Sequence, residues 1–209
     1  MDKHGAESTA RAAPNALAMI DPNVLLAELT CGDDSRAEVA APLYAALGKP
    51  GLSQIENLLA SKNMDERWWA LRVLGQMQYP PFELLLNALL DDAPEIRQCA
   101  ALGLCYHPDA HNVSGLAAAL ADPDALTASL ASNALAAIGK AATSALIDAL
   151  ENGKQPAKIE ALRALAFIKD PNSIPALMKT IQKDSAVLQY WANKALNDLG
   201  LGMMYFKPN

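Results

Sequence analysis

One feature constrains the fold of this chain more than any other: a leucine-centred pattern that recurs every 30 or 31 residues. Short segments beginning at Arg67, Arg97, Ala128, Lys158 and Gln189 align without gaps, and a weaker copy begins at Arg36. The shared leucine falls at Leu43, Leu74, Leu104, Leu135, Leu165 and Leu196. A repeat of this length predicts one small unit of secondary structure per repeat, stacked against its neighbours into an extended array.

The residue composition favours helices over strands. Ala and Leu are the most frequent residues, and they are better helix formers than the β-branched residues that strands favour. Each repeat has a first helix, a short turn rich in Asp, Gly, Asn or Pro, and a second helix that carries the shared leucine. The last apolar position of the first helix recurs at Leu29, Leu59, Leu90, Leu120, Leu150 and Ile181. We therefore predict an all-α chain of about six helix–turn–helix repeats of 30–31 residues.

These repeats resemble HEAT repeats of the short bacterial type first associated with phycobilin lyases. The resemblance is carried by the segment Asp170-Pro-Asn-Ser-Ile-Pro-Ala-Leu, by basic residues at Arg36, Arg67 and Arg97, and by the Ala-Leu-x-x-Ile/Leu-Gly endings at 134–139 and 195–200. It implies a right-handed α-solenoid over residues 21–200 that binds other proteins on its concave face. In this family the basic position pairs with an Asp of the turns, which forms a ladder between repeats. Two departures are that Pro42 interrupts the second helix of the first repeat and that the ladder lapses at Ala128 and Gln189.

The two ends of the chain are predicted to flank this array. Residues 1–20 form an N-terminal tail or capping segment. Residues 201–209 are too apolar for a free tail, so they either cap the last repeat or dock into another chain. Gly200 is expected to end the last helix as a C-cap.

The search for catalytic groups finds one candidate metal cluster and no catalytic motif. His107, Asp109 and His111 lie in one turn between repeats, and imidazole and carboxylate groups are common metal ligands. The alternative is a turn with a helix cap, because the same slot holds Asp170 in the last repeat. The HEAT-like deoxyhypusine hydroxylases carry His-Glu pairs, which this chain lacks. Cys105 lies close to His107 in sequence, but a structural thiol is the preferred interpretation. We predict a protein without a catalytic site, metal or cofactor.

Net charge and hydropathy narrow the class of partner. The chain has 17 basic and 23 acidic residues, for a net charge of −6, whereas nucleic acid favours a basic surface. HEAT-like DNA glycosylases use such a surface, so binding of nucleic acid is disfavoured here. No run of apolar residues reaches the length of a membrane span, and the first residues lack the apolar core of a secretory signal. These features predict a cytoplasmic protein.

The candidate partner-binding surface lies on the second helices. Counting the basic position as one, the second, third and sixth positions face away from the leucine seam. They hold all three tryptophans, and Trp, Tyr and Arg are enriched in interface hot spots. One of the two adjacent tryptophans could instead fill a gap between repeats. The predicted concave-face site comprises Trp68, Trp69, Arg72, Gln98, Leu102, Leu130, Arg163, Tyr190, Trp191 and Lys194.

Three functions remain open from the sequence. The first is a scaffold or adaptor whose concave face binds a protein or peptide segment of acidic character. The second, implied by the resemblance to phycobilin lyases, is an accessory subunit or chaperone of an enzyme that attaches a cofactor. The third and weakest is binding of nucleic acid. The identity of the partner, the pathway and the oligomeric state are not specified by the sequence.

Overall fold

A computed structural model describes residues 21–201 of the chain, which form α-helices and short turns with no strand in that range. The chain divides between Pro80 and Pro81 into two compact units. Each unit consists of antiparallel helix pairs, as the repeat pattern predicted.

The first unit contains two helical hairpins. Its helices are α1 (Pro22–Leu29), α2 (Asp34–Leu47), α3 (Leu52–Leu59) and α4 (Met64–Gln76). Helix α1 packs against α2, α3 packs against α4, and the two second helices α2 and α4 pack against each other.

The second unit contains four hairpins built in the same way. Its helices are α5 (Phe82–Ala88), α6 (Pro94–Tyr106), α7 (Val113–Ala119), α8 (Ala125–Ile138), α9 (Thr143–Asn152), α10 (Gln155–Ile168), α11 (Ile174–Lys183) and α12 (Ala186–Asp198). The second helices α6, α8, α10 and α12 pack side by side in one layer, while α7, α9 and α11 form the other. Two layers of stacked hairpins are the architecture of an α-solenoid, and the all-α fold prediction is confirmed.

The shared leucine forms the seam between the helices. Leu74, Leu104, Leu135, Leu165 and Leu196 are at most 2% exposed. Alanines beside them, such as Ala100, Ala131, Ala161 and Ala192, have no exposed surface, so neighbouring helices approach closely at these positions. Truncating one of these leucines to Ala is expected to cost about 2–5 kcal/mol of stability.

The predicted alignment of the first repeat is wrong by one residue. Leu43 is 37% exposed, and Tyr44 is the buried residue at 2%. The Tyr44 ring lies against Gly51, and its hydroxyl contacts Gly51 O at 3.2 Å and Gln54 Oε1 at 2.5 Å. These contacts hold Tyr44 at the seam, which makes the spacing from Tyr44 to Leu74 equal to the 30 residues of the repeat.

In two first helices the buried residue comes one position before the predicted last apolar residue. Leu90 is 82% exposed, and Leu89 is buried in its place at 5%. In the last repeat Thr180 is buried at 3%, ahead of the predicted Ile181. The Thr180 hydroxyl donates to the carbonyl oxygen of Ala176 at 3.0 Å, so this polar group is satisfied inside the helix.

Pro42 does not interrupt the second helix of the first repeat, contrary to the prediction. Helix α2 continues through it to Leu47. Proline lacks the N–H that would bond to the preceding turn, so it weakens a helix. Here Ala41, Tyr44 and Ala45 are buried on the opposite side of the helix, and their packing holds the helical path while Pro42 faces solvent.

Asp and Asn side chains begin many of the elements. The carboxylates of Asp33 and Asp124 and the amide of Asn63 accept hydrogen bonds from backbone N–H groups in the first turns of α2, α8 and α4. Gly200 ends α12 with a φ of 82°, and the N–H of Leu201 donates to Leu196 O at 2.9 Å. This confirms the predicted C-cap. The predicted capping segments 1–20 and 201–209 lie outside the described residues except for Leu201.

One apolar stretch, Ala125–Asn152, is long enough by length and composition to cross a membrane. It is divided at Gly139, whose φ of 78° lies in the left-handed region and ends α8. A 3-10 turn over Gly139–Ala142 then leads into α9. The stretch is therefore two helices in different layers of the second unit, and its apolar character is that of the solenoid core.

Candidate functional site

The second helices of the second unit present one continuous layer, whose solvent side we call the second-helix face. Seven residues of the predicted site lie on it. Tyr190 and Lys194 are exposed, while the other five are half-buried: Gln98, Leu102, Leu130, Arg163 and Trp191. Tyr190, Trp191 and Lys194 all lie on α12. The structure therefore brings the predicted residues numbered above 97 onto one layer of adjacent helices.

An open groove of about 440 Å³ lies on this face. Most of the residues that line it are small, and three of them are alanines of α8 and α10. Its lining is Cys105 from α6; Ser132, Asn133, Ala136 and Ala137 from α8; and Arg163, Ala164 and Phe167 from α10. We call these residues the α8–α10 groove.

Two exposed groups stand at the groove. Phe167 is 73% exposed, although a phenylalanine ring has no polar group that water could satisfy. Asn133 is also exposed and offers both a donor and an acceptor. An apolar lining with a few polar groups is typical of a surface that binds another molecule.

Arg163 is held in place from one side. Its Nη1 donates to both carboxylate oxygens of Glu160, at 3.0 and 2.9 Å, and to the Ser129 hydroxyl at 3.2 Å. Ser132 fixes the same turn of α10, because its hydroxyl donates to Glu160 O at 2.8 Å. The guanidinium is thus oriented at the groove by contacts from both α8 and α10.

A second cluster lies on α12. The rings of Tyr190 and Trp191 meet edge to face with centroids 5.6 Å apart, and Lys194 Nζ stands 5.4 Å from the centre of the Trp191 ring. Tyr190 is 63% exposed. Aromatic rings held by such contacts lose little freedom on binding, which suits them to an interface.

In the first unit, the prediction that Trp69 faces a partner is wrong. Trp69 is 7% exposed, and its ring packs edge to face against Trp68 at 4.7 Å between centroids. Burial of a large aromatic ring stabilises the packing of α4, and this outweighs its place in the repeat pattern. Trp68 is half-buried beneath Arg72, whose guanidinium carbon lies 5.9 Å from the Trp68 ring centre. Arg72 also forms an ion pair with Glu38.

The predicted ladder of basic and acidic residues exists in part. Arg97 Nε and Nη2 each donate to Asp122 at 2.8 Å, which joins one repeat to the next. Lys158 Nζ lies 3.7 Å from the Asp184 carboxylate in the same relation. The Asp122 carboxylate raises the pKa of Arg97, so this guanidinium stays charged.

The ladder prediction is wrong for Arg36 because of the one-residue slip in the first repeat. Its Nε and Nη2 hold the Glu28 carboxylate at 2.6 Å, within the same hairpin. Ala37 is buried, as the slipped register requires. Arg67 Nη1 donates to the backbone carbonyls of Ser61 and Lys62, at 3.0 and 3.3 Å.

The turn containing His107, Asp109 and His111 is a capped turn. The Asp109 carboxylate accepts from the His111 backbone N–H at 2.8 Å and lies 2.7 Å from His111 Nδ1. The first contact lowers the pKa of Asp109 and begins the 3-10 turn Ala110–Asn112. This confirms the cap as the role of the segment. Within residues 21–201, no three His, Cys, Asp or Glu side chains are placed to hold a metal ion.

The cysteines are free thiols in different surroundings. Cys99 is buried, Cys105 half-buried and Cys31 exposed. Burial raises the pKa of the Cys105 thiol, so its thiolate form is disfavoured. A nucleophilic thiol requires the opposite shift, which supports the structural interpretation.

The sequence analysis missed Phe167 and the groove itself. Phe167 comes two residues after its shared leucine, and Tyr106, which is 63% exposed, holds the same position two repeats earlier. An aromatic residue recurring at that position was a usable signal. The alanines of the groove were not, because Ala136 and Ala164 look like any other small residues of the seam.

Stacked antiparallel hairpins with one recurring leucine define an α-helical repeat protein. Residues 113–197 match the family of HEAT repeats. This part of the chain is similar to HEAT repeats, as the resemblance implied.

Two engineered proteins of known structure share the fold of this chain. One engineered protein matches with a TM-score of 0.53 and 20% identity, over 87% of this chain and 99% of the other. A second engineered protein matches with a TM-score of 0.50 and 21% identity, over 88% and 98%. The complex of CpcE and CpcF of phycocyanin lyase from Nostoc sp. matches with a TM-score of 0.48 and 22% identity, over 95% and 82%. No curated protein matches the sequence significantly.

Proposed function

We propose that this chain is a non-catalytic scaffold or adaptor whose second-helix face binds an extended segment of another protein. The observation that carries this proposal is the α8–α10 groove, which lies on the same layer of helices as the Tyr190–Trp191–Lys194 cluster. A peptide lying across adjacent second helices contacts both features. The cytoplasmic location expected from the sequence belongs to the same proposal.

The shape and composition of the face support a peptide. The groove is open and most of its lining residues are small, so it accepts a side chain from above without enclosing a whole molecule. The exposed aromatic rings of Phe167 on α10 and Tyr190 on α12 supply apolar area on the same layer of helices. Recognition of an extended segment rests on such side-chain sites arranged in a row.

Charge on the face supports an acidic partner. Arg163 and Lys194 occupy the sixth position of successive second helices, and Glu160 is the acidic residue beside them. Among the residues that the structure describes, Lys194 forms no ion pair and contacts the Trp191 ring. Complementary charge favours association with an acidic segment and strengthens at low salt.

Site-specific photo-crosslinking in native lysate tests this proposal. Benzoyl-phenylalanine replaces Asn133 on the second-helix face or, as a matched control, the exposed Ser144 on α9 in the other layer. We expect one protein to be captured from position 133 and not from position 144. Equal capture from both positions would contradict the proposal.

Affinity measurements with the purified partner then distinguish specific binding from chance crosslinking. Its affinity for the chain should fall about fivefold or more on Phe167→Ser or Tyr190→Ala, since truncation of an interface anchor costs more than about 1 kcal/mol. Visible absorbance on titration with a tetrapyrrole would favour the role in cofactor attachment. Salt-sensitive retention on heparin would favour nucleic acid.

A further inference from the structure

Arg163 presents an edge of its guanidinium that forms no hydrogen bond or ion pair within residues 21–201. Glu160 and Ser129 both bind Nη1. The Nε–H and Nη2–H groups, which form the opposite edge, have no hydrogen-bond partner in that range. Arg163 lines the α8–α10 groove, and its side chain is 38% exposed.

The same edge binds a carboxylate elsewhere in this chain. Nε and Nη2 of Arg97 hold both oxygens of Asp122 at 2.8 Å, and Nε and Nη2 of Arg36 hold both oxygens of Glu28 at 2.6 Å. The two parallel N–H groups match the spacing of two carboxylate oxygens, which makes this the strong arginine geometry. Arg163 offers that geometry already oriented, since Nη1 is fixed by Glu160.

An apolar site lies next to this edge. Ala136, Ala137 and Ala164 line the groove, and Phe167 stands one helical turn beyond Arg163 on α10. The volume of about 440 Å³ accommodates one large apolar side chain. A carboxylate and an apolar group therefore fit the groove together when they belong to neighbouring residues of one chain.

We propose that the groove recognises an Asp or Glu side chain of the partner next to a large apolar residue. The carboxylate accepts two hydrogen bonds from Nε and Nη2 of Arg163, and the apolar side chain packs between Ala137 and Phe167. This inference rests on the proposed function and specifies the partner sequence that the second-helix face selects.

Selection from a random dodecapeptide library displayed on phage, with the whole chain as bait, tests the inference. We expect the selected peptides to share an acidic residue beside an aromatic or aliphatic one. Synthetic copies should lose at least tenfold in affinity when the acidic residue becomes Gln or Asn. They should lose a similar factor when the apolar neighbour becomes Ser.

Variants of the chain assign the carboxylate to Arg163. Arg163→Gln should abolish the difference between the acidic peptide and its amide copy. Arg163→Lys keeps the charge but removes the paired N–H groups, so it should retain only a minor part of the preference. Arg36→Gln, which removes an exposed arginine of the first unit, is the matched control and should change nothing. Circular dichroism establishes that each variant keeps its helices.

The outcomes separate this inference from the proposed function. If peptides are selected but bind Arg163→Gln as well as the original chain, the inference is overturned while the scaffold role stands. If the library yields no binder while position 133 still captures one protein from lysate, the inference is overturned and the scaffold role stands; if neither experiment yields a binder, both fail. If the chain dimerises in light scattering and Arg163→Gln abolishes the dimer, the occupant is a second copy and the peptide inference is overturned.

Discussion

The ring of Tyr44 occupies the space that a side chain on Gly51 would need. A Cβ at Gly51 would lie 2.6 Å from Tyr44 Cε1, closer than two carbon atoms can approach. The same ring is 2% exposed, and its hydroxyl contacts Gly51 O. The pair fixes where α2 meets the turn before α3, and with it the register of the first repeat.

Gly51→Ala should therefore destabilise the first unit. We expect a loss of about 1–3 kcal/mol in the free energy of unfolding, the usual cost of overpacking a filled core. Chemical denaturation measures it. Tyr44→Leu removes the obstructing ring, so in the double variant the effect of Gly51→Ala should be smaller by at least about 1 kcal/mol. Strictly additive effects would show that the two residues do not interact.

Asn112→Ser should stabilise the second unit. Asn112 is wholly buried, and neither Nδ2 nor Oδ1 has a partner among residues 21–201. Ser173 holds the equivalent position two repeats later, and its hydroxyl donates to Asp170 O at 2.7 Å. Because an unpaired buried amide is costly, the gain should be about 1 kcal/mol in thermal or urea unfolding. The reciprocal change Ser173→Asn should lower stability, and a rise there would refute the explanation.

Trp69→Ala and Tyr190→Ala should have opposite consequences. Trp69 is buried, so its truncation should cost about 3–5 kcal/mol of stability. Tyr190 is 63% exposed, so its truncation should leave the melting temperature nearly unchanged and weaken binding of the crosslinked partner. Melting curves and titrations on both variants check this. A Trp69→Ala variant as stable as the original chain would contradict the burial of Trp69.

The stability of the second unit should decline in acid partly through Asp124 and Asp170. Hydrogen bonds from Gln98 to Asp124, and from the Asn172 N–H to Asp170, lower the pKa of each carboxyl group. A carboxylate with a lowered pKa contributes stability above the unfolded value of about 3.9, and this is lost as pH falls through the folded value. In the Asp170→Asn variant, the denaturant midpoint of unfolding should therefore fall less than in the original chain when the pH is lowered below about 4. Asp92→Asn, at an exposed aspartate, serves as the control.

The three thiols should react with a disulfide reagent in a fixed order. Cys31 is exposed and should react first, Cys105 should react slowly because burial raises its pKa, and Cys99 should react only on unfolding. Mass spectrometry of samples taken over time, with and without denaturant, gives the order. Rapid labelling of Cys105 in the folded chain would contradict its structural role.

The helical hairpins were predictable from sequence because each one places a single leucine at the seam, so the leucines recur once per repeat. Leu74, Leu104 and Leu135 lie at the seam as expected. The register of α2 was not predictable, since Leu43 and Tyr44 are both apolar and neighbouring alanines occupy several sides of the helix. Only the contact between Tyr44 and Gly51 decides between them.

The candidate site was predictable only in part, for a similar reason. Position in the repeat brought Arg163, Tyr190 and Trp191 to one face, but it could not tell which of Trp68 and Trp69 turns inward. That choice depends on how two adjacent rings pack against each other. The free edge of Arg163 arises from which nitrogen Glu160 binds, and sequence carries no record of that choice.

Because the walls of the groove come from α8 and α10, the recognition element belongs to the junction of two repeats and not to either repeat alone. A duplication that inserted one hairpin between them would separate Asn133 from Arg163 and create two new junctions in place of the old one. Specificity in such a chain therefore evolves through the order in which repeats are joined, while each hairpin keeps the leucine that folds it.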